Sequence, residues 1–264
     1  MVDFQIAENY GMDDLLKIME LLRAPGGCPW DRAQTHQSIR DNMLEEAYEA
    51  ADAIDRGDMD NLREELGDVL LQVVFHASMA RQAGCFTFDD VVDGVCKKLV
   101  FRHPHVFGTA DARDPDGALS AWDAQKREEK GQRTAGDALD SVARALPALT
   151  RAAKLQSKAA KAGFDWRDAA PAMDKLSEEL EEFQTAVREG SNTEEELGDL
   201  LFAAVCVGRF LNTDPEAALH AACGKFSARF RKTEELAAQR GLSLDKLSDQ
   251  EQTALWREAK EQLK

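Results

Sequence analysis

The hexapeptide Glu-Leu-Gly-Asp-apolar-Leu is written twice in this chain, as ELGDVL at 65–70 and as ELGDLL at 196–201. A glycine inside a helix costs about 1 kcal/mol relative to alanine, and the two acids that bracket it add nothing to a core. Stability alone does not select such a segment once, still less twice. The flanks repeat as well. LEEAYEAADAIDRGDMDNLREELGDVLLQ (44–72) matches SEELEEFQTAVREGSNTEEELGDLLFA (177–203), which aligns Glu45, Glu46 and Glu49 with Glu178, Glu179 and Glu182, and Gly57 with Gly190. The connecting turn is two residues shorter in the second copy, after which Glu65 and Asp68 meet Glu196 and Asp199.

The match continues downstream. CKKLVFR (96–102) parallels CGKFSAR (223–229), and WDAQKREEK (122–130) parallels WREAKEQLK (256–264), so Lys98, Arg102 and Trp122 align with Lys225, Arg229 and Trp256. Upstream, GGCPWD (26–31) and AGFDWR (162–167) match loosely. The chain therefore reads as a tandem duplication, with domains at 1–130 and 147–264. The stretch 131–146, rich in small residues and followed by Pro147, reads as their linker.

Both halves read as helical, because β-branched alternation is absent and Leu, Ala, Glu, Lys and Arg dominate. Leu62, Leu66, Val69, Leu70, Val73 and Ala77 share one face of a helix. At about 100° per residue, Glu65 lies on the edge of that stripe and Asp68 roughly 60° further round. Glu46 and Glu49 have the same three-residue spacing on the preceding helix, and Gly57 is the expected stop between the two. A short turn makes such helices antiparallel neighbours. Four carboxylates per repeat would then converge, half buried. The glycine between Glu65 and Asp68 is read as room for a neighbouring helix or a ligand.

Composition sets limits on partners. With 33 basic and 49 acidic residues the formal charge is −16, which disfavours generic DNA or RNA binding, where basic patches supply most of the affinity. Five scattered cysteines without a C-x-x-C pair argue against a disulfide framework or a zinc site and fit a reducing cytoplasm. No basic segment followed by an apolar run opens the chain, and the apolar stretch at 69–80 is too short to span a bilayer. We therefore expect a cytoplasmic protein without membrane partners.

Crowded carboxylates beside an apolar face repel one another and resist desolvation. Mg²⁺ relieves both problems, since it prefers carboxylate oxygens and water and bridges phosphates well. The competing reading of Glu-Glu-x-x-Glu is a solvated helix face. The duplicated set, with apolar flanks and a Lys and Arg retained downstream in both copies, favours a metal site in each half.

These residues resemble the MazG family of the all-α NTP pyrophosphatase superfamily. The resemblance rests on EExxE at 45–49 and 178–182, ExxD at 65–68 and 196–199, the Lys…Arg…Trp…Lys tail, LRAPGGCPWDRAQTHQSI (22–39) and FRHPHVF (101–107). It implies an all-α tandem pair of small helical bundles completed by homodimerisation. It also implies Mg²⁺-dependent hydrolysis of NTPs and dNTPs to the monophosphate and pyrophosphate, a nucleotide-pool house-cleaning activity. Carried residue by residue, Glu179, Glu182, Glu196 and Asp199 would hold Mg²⁺, with Glu46, Glu49, Glu65 and Asp68 as counterparts in the first half. Glu178 would orient or deprotonate the attacking water. Lys175, Lys225 and Arg229 would contact phosphates, and Trp256 would stack on or pack near the base. Asn42 aligns with Lys175, so the second half is expected to be the main active domain.

Three other readings compete with this one. A di-iron bundle needs Glu-x-x-His, and no histidine here has an acid three residues before it. An acidic helical scaffold would tolerate loss of single carboxylates. A narrower pyrophosphohydrolase acting on dUTP or phosphoribosyl-ATP would keep the same carboxylates. No G-x-x-x-x-G-K-[ST] phosphate loop is present.

Overall fold

A computed structural model describes residues 4–109 and 114–264. Among the described residues there are helices and no strands. The chain divides into two compact units, 1–126 and 127–264.

In the first unit the helices are α1 (Met12–Arg23), α2 (Pro29–Ala33), α3 (Arg40–Arg56), α4 (Met59–Gln82), α5 (Phe88–Arg102) and α6 (Pro104–Phe107), followed by α7 (Pro115–Glu129), within which the division falls. The helix pair α3/α4 dominates, with α1 and α5 packed on α4. Gly57 ends α3 in the left-handed region at φ 67°, and its N–H and that of Asp58 close back on Ile54 and Ala53 carbonyls. A side-chain-free residue makes that turn at no steric cost. Asp58 then caps α4 by accepting from the Asn61 N–H at 3.1 Å. The core behind the pair is Met19, Ile39, Val74, Phe75 and Met79, with Leu15, Leu16, Leu70, Leu71 and Phe88 against it. Fully burying a side chain of this size contributes about 1.5–3 kcal/mol, so α1 holds α4 through Met19 and Val74.

The second unit contains α8 (Ala135–Asp140), α9 (Ala148–Lys161), α10 (Ala169–Glu189), α11 (Thr193–Phe210), α12 (Pro215–Gln239) and α13 (Asp249–Gln262). Here α10/α11 is the dominant pair, α9 packs on α11, and α12 packs on α13. Gly190 repeats the left-handed stop at φ 68°. One core cluster is Ala172, Cys206 and Val207 with Leu176 and Phe210; another, between α12 and α13, is Leu236, Ala237, Leu255 and Ala259.

The stretch 131–146 holds α8, which opens on a capping box between Thr134 and Asp137 and packs on α9. Val142 beyond it is buried, so this segment is folded onto the second unit. The glycines of the repeated hexapeptide differ from the close-approach reading in one respect. Among the described residues, a Cβ built on Gly67 or Gly198 would meet nothing within 4 Å, so neither glycine is in close contact with a helix of its own unit.

Candidate functional site

The α3/α4 and α10/α11 hairpins bring aligned carboxylates together. Oxygens of Glu46, Glu49 and Glu65 lie within 4.8 Å of one another in the first unit, and those of Glu179, Glu196 and Asp199 do so in the second. Three mutually close carboxylate oxygens are the donor chemistry of a hard divalent cation. The two remaining acids stay within electrostatic reach. Asp68 raises the carboxyls of Glu46 and Glu65, after burial and, for Glu65, Glu49. Glu182 is raised mainly by burial, with Glu179, Glu178 and Glu196 adding to it and Lys175 opposing. Six of the eight candidate ligands thus form the two triads, and Asp68 and Glu182 lie outside them.

Lys175 bridges the second cluster. Its ammonium lies 2.7 Å from Glu178 and 2.8 Å from Glu179. These hydrogen bonds, to Glu178 first and Glu179 second, hold it protonated above its ordinary range. Glu179 is buried, and the ammonium supplies the partner that a buried carboxylate requires. Glu178 is exposed.

Beside this cluster lies a cavity of about 620 Å³, lined by Lys175, Glu179 and Asp199 and by Gln156, Phe164, Trp166, Ala203 and Cys206 among others. Its α11 wall runs from Asp199 through Phe202, Ala203 and Cys206 to Arg209. Both Arg209 Nη groups donate to Asp165, at 2.8 and 2.5 Å. That pair ties the turn carrying Phe164 and Trp166 to α11, while raising the guanidinium and depressing the carboxyl through their mutual hydrogen bonds.

The other candidate substrate contacts stand elsewhere. Lys225 is exposed and Arg229 half-buried on α12, and among the described residues neither has a carboxylate partner. Trp256 packs on Phe226, ring centroids 5.3 Å apart, in a separate cavity of about 510 Å³ between α12 and α13. In one copy these three do not line the carboxylate cavity.

A family profile, the MazG nucleotide pyrophosphohydrolase domain, matches residues 34–107 and again 168–233. The chain belongs to the MazG family. The MazG nucleoside triphosphate pyrophosphohydrolase/pyrophosphatase of Thermotoga maritima is 45% identical to it over 248 residues, covering 94% of this chain and 95% of its own length. The nucleoside triphosphate pyrophosphohydrolase of Escherichia coli strain K12 is 45% identical over 256 residues, covering 95% and 97%. A crystal structure of a MazG-related protein from Thermotoga maritima covers 44% of this chain and 99% of its own at 25% identity, with a TM-score of 0.39. The MazG profile spans contain every candidate carboxylate together with Lys175, Lys225 and Arg229, whereas Gln156, Phe164, Trp166 and Trp256 lie outside them.

Sequence reasoning did not single out Gln156, Asp165 or Arg209. A faint signal existed for Trp166 in the loose match of AGFDWR to GGCPWD. For the Asp165–Arg209 pair, 44 residues apart, there was none.

Proposed function

We propose that this chain hydrolyses nucleoside triphosphates, both ribo- and deoxyribonucleotides, to the monophosphate and pyrophosphate with Mg²⁺, chiefly in its second unit. One observation carries the reading: Glu179, Asp199 and the Lys175 ammonium share a single cavity with aromatic and apolar walls. A carboxylate cluster with a cation beside it suits a metal-complexed polyphosphate, and the apolar volume suits the rest of a nucleotide. The names of the relatives support the same chemistry.

Glu179, Glu182, Glu196 and Asp199 would hold Mg²⁺, whose charge, when bound, polarises phosphoryl oxygens and offsets the charge of the leaving pyrophosphate. Lys175 is engaged by two carboxylates until a triphosphate competes for it. Moving its ammonium to phosphate frees Glu178 to accept the proton of the attacking water. Positioning and electrostatics then supply most of the catalysis. The first cluster, with Asn42 in place of a lysine, is proposed as a weak, regulatory or structural cation site.

Lys225, Arg229 and Trp256 are proposed to meet substrate across an interface with a second copy or after movement of α12. Homodimerisation is favoured by Leu180, Val187, Leu197 and Leu201, all 43–56% exposed on α10 and α11. The charge of −16 argues against a nucleic-acid partner. Among the described residues no helix is long and apolar enough to cross a membrane, and all five cysteines are free; we propose a cytoplasmic location.

Pyrophosphate release from a panel of NTPs and dNTPs, with and without Mg²⁺, tests the reading in the wild type and in Glu179→Ala. Mg²⁺-dependent release that vanishes in the variant supports it. Absence of pyrophosphate from every nucleotide overturns it and leaves an acidic helical scaffold.

A further inference from the structure

Phe164 and Trp166 stand on the turn between α9 and α10, and burial does little to hold them there: they are 84% and 42% exposed. Gly163 enters that turn at φ 89°, in the left-handed region, where glycine meets no steric barrier. The restraint on the turn is polar. Asp165 takes both Arg209 Nη groups on its two oxygens and also accepts from the Trp166 backbone N–H at 2.9 Å. Arg209 is held in its turn, its guanidinium 4.5 Å from the Phe210 ring centre and its Nη2 3.7 Å from the Cys206 sulfur. The Arg209 and Asp165 side chains are only 21% and 26% exposed. A two-pronged guanidinium–carboxylate fork fixes direction as well as distance.

The duplication supplies a control. In the loose match of GGCPWD to AGFDWR, Pro29 stands where Asp165 does, and along α4 Ser78 stands where Arg209 does. Both members of the pair are thus missing from the first unit, while the tryptophan is kept as Trp30. Trp30 lies instead beside Phe75, ring centroids 6.4 Å apart, and the second unit has Cys206 at that position. One unit seats its tryptophan by a core ring; the other ties it with a charge pair. The fork belongs to the unit in which Phe164, Asp165, Trp166 and Arg209 line the carboxylate cavity.

A nucleotide is strung in the order phosphates, sugar, base. With the phosphates at Asp199 and Lys175, the group that enters the cavity next is the sugar, whose C–H faces suit aromatic walls. Resting on the nucleotide-hydrolase reading above, we propose that Asp165 and Arg209 are positioning residues for the sugar of the substrate: their fork holds Phe164 and Trp166 as a preformed wall against it and leaves the base to Trp256. A wall that is already ordered spares binding the cost of ordering it.

The test measures ATP hydrolysis in wild type, Asp165→Asn, Arg209→Gln and the double variant. Ribose 5-triphosphate (no base) and inorganic triphosphate (no sugar) serve as competing inhibitors. Asp165→Asn should raise KM for ATP by about tenfold, the cost of ordering roughly one residue of free backbone, with kcat little changed. The inhibition constant of ribose 5-triphosphate should rise by the same factor and that of inorganic triphosphate should not rise. The double variant should lose no more than either single one, since each removes the same coupling. An unchanged KM overturns the proposal, as do additive losses in the double variant. A matching loss for inorganic triphosphate, which reports general loosening of the site, overturns it too. So does a loss confined to ATP, which puts the base on the wall. If Asp165→Asn melts below wild type, Arg209→Lys, which keeps the charge and gives up only the fork, decides on the same ratios. A wild type that hydrolyses no ATP sinks the hydrolase reading itself, which separates the two failures.

Discussion

Where the second unit has Lys175, Ala203 and Cys206, the aligned positions of the first hold Asn42, Gln72 and Phe75. Phe75 is 4% exposed in the core with Met19 and Val74, its ring 6.4 Å from Trp30 and under the Arg23 guanidinium at 5.2 Å. Cys206 instead lines the cavity. A thiol thus lines the cavity of one unit where the aligned phenyl ring of the other is packed into its core. Arg102, the counterpart of Arg229, is buried against Trp122, 5.1 Å from ring centre to guanidinium. The carboxylate triads differ too: Glu46 and Glu65 gather Glu49, whereas Glu179 and Glu196 gather Asp199. The two units thus share clustered charge while differing in the side chains beside it. Charge clustering follows from the backbone of a helix pair, which both units keep. Volume follows from a few side chains, which they do not.

The sharpest break in this comparison is Glu179→Gln against Glu46→Gln. The first should cost about 10³-fold in kcat/KM for NTP hydrolysis, since a site for catalytic metal charge supplies several kcal/mol. The second should cost less than about threefold, and comparable losses would make the units equal. Lys175→Met should raise KM by roughly tenfold, through the loss of a charge-assisted phosphate contact. In calorimetric titration of the nucleotide-free protein it should tighten Mg²⁺ binding, because the ammonium no longer competes for Glu179. Filling the cavity by Cys206→Phe should reduce kcat/KM by about tenfold or somewhat less while leaving Mg²⁺ titration unchanged, an overpacking change; unaltered kinetics would dissociate the cavity from substrate.

The smallest effect is in pH. Burial and neighbouring acids raise Glu46 and Glu65 above the ordinary value of 4.5, so the folded state holds these protons more tightly than the unfolded chain. Their stabilisation is complete below the unfolded value and is lost as pH rises through the raised ones. In metal-free protein the melting temperature of Glu65→Gln relative to wild type should therefore increase as pH is raised from 4.5 toward 7, and Mg²⁺ should narrow that difference. A pH-independent difference would show that the acids of the first cluster do not burden one another.

Much of this was legible in the chain itself. The helical hairpins and their convergent acids follow from a period of 3.6 and a glycine stop, which are local properties. Asn42 against Lys175 was visible because the duplication supplies its own alignment. The cavity was not legible. It depends on Gln156 meeting the Phe202 carbonyl and on Asp165 meeting Arg209, pairings across 46 and 44 residues that no local pattern encodes. The position of Trp256 in a separate cavity was equally hidden, since alignment places a residue in sequence and not against a particular wall. The open side of Gly67 and Gly198 likewise emerged only from three-dimensional neighbours.

The hairpin turns carry a last consequence. Both end their first helix on a left-handed glycine, yet α4 begins at Met59, well before Glu65, while α11 begins at Thr193, just before Glu196. The longer first turn of helix in α4 takes up the extra residues, and the acids still assemble. Each bend thus delivers three acids to its hairpin, although not the same three. A reporter peptide or an affinity tag spliced after Ser191 would ride on the molecule as a passenger, giving a handle for following one unit without disturbing the other.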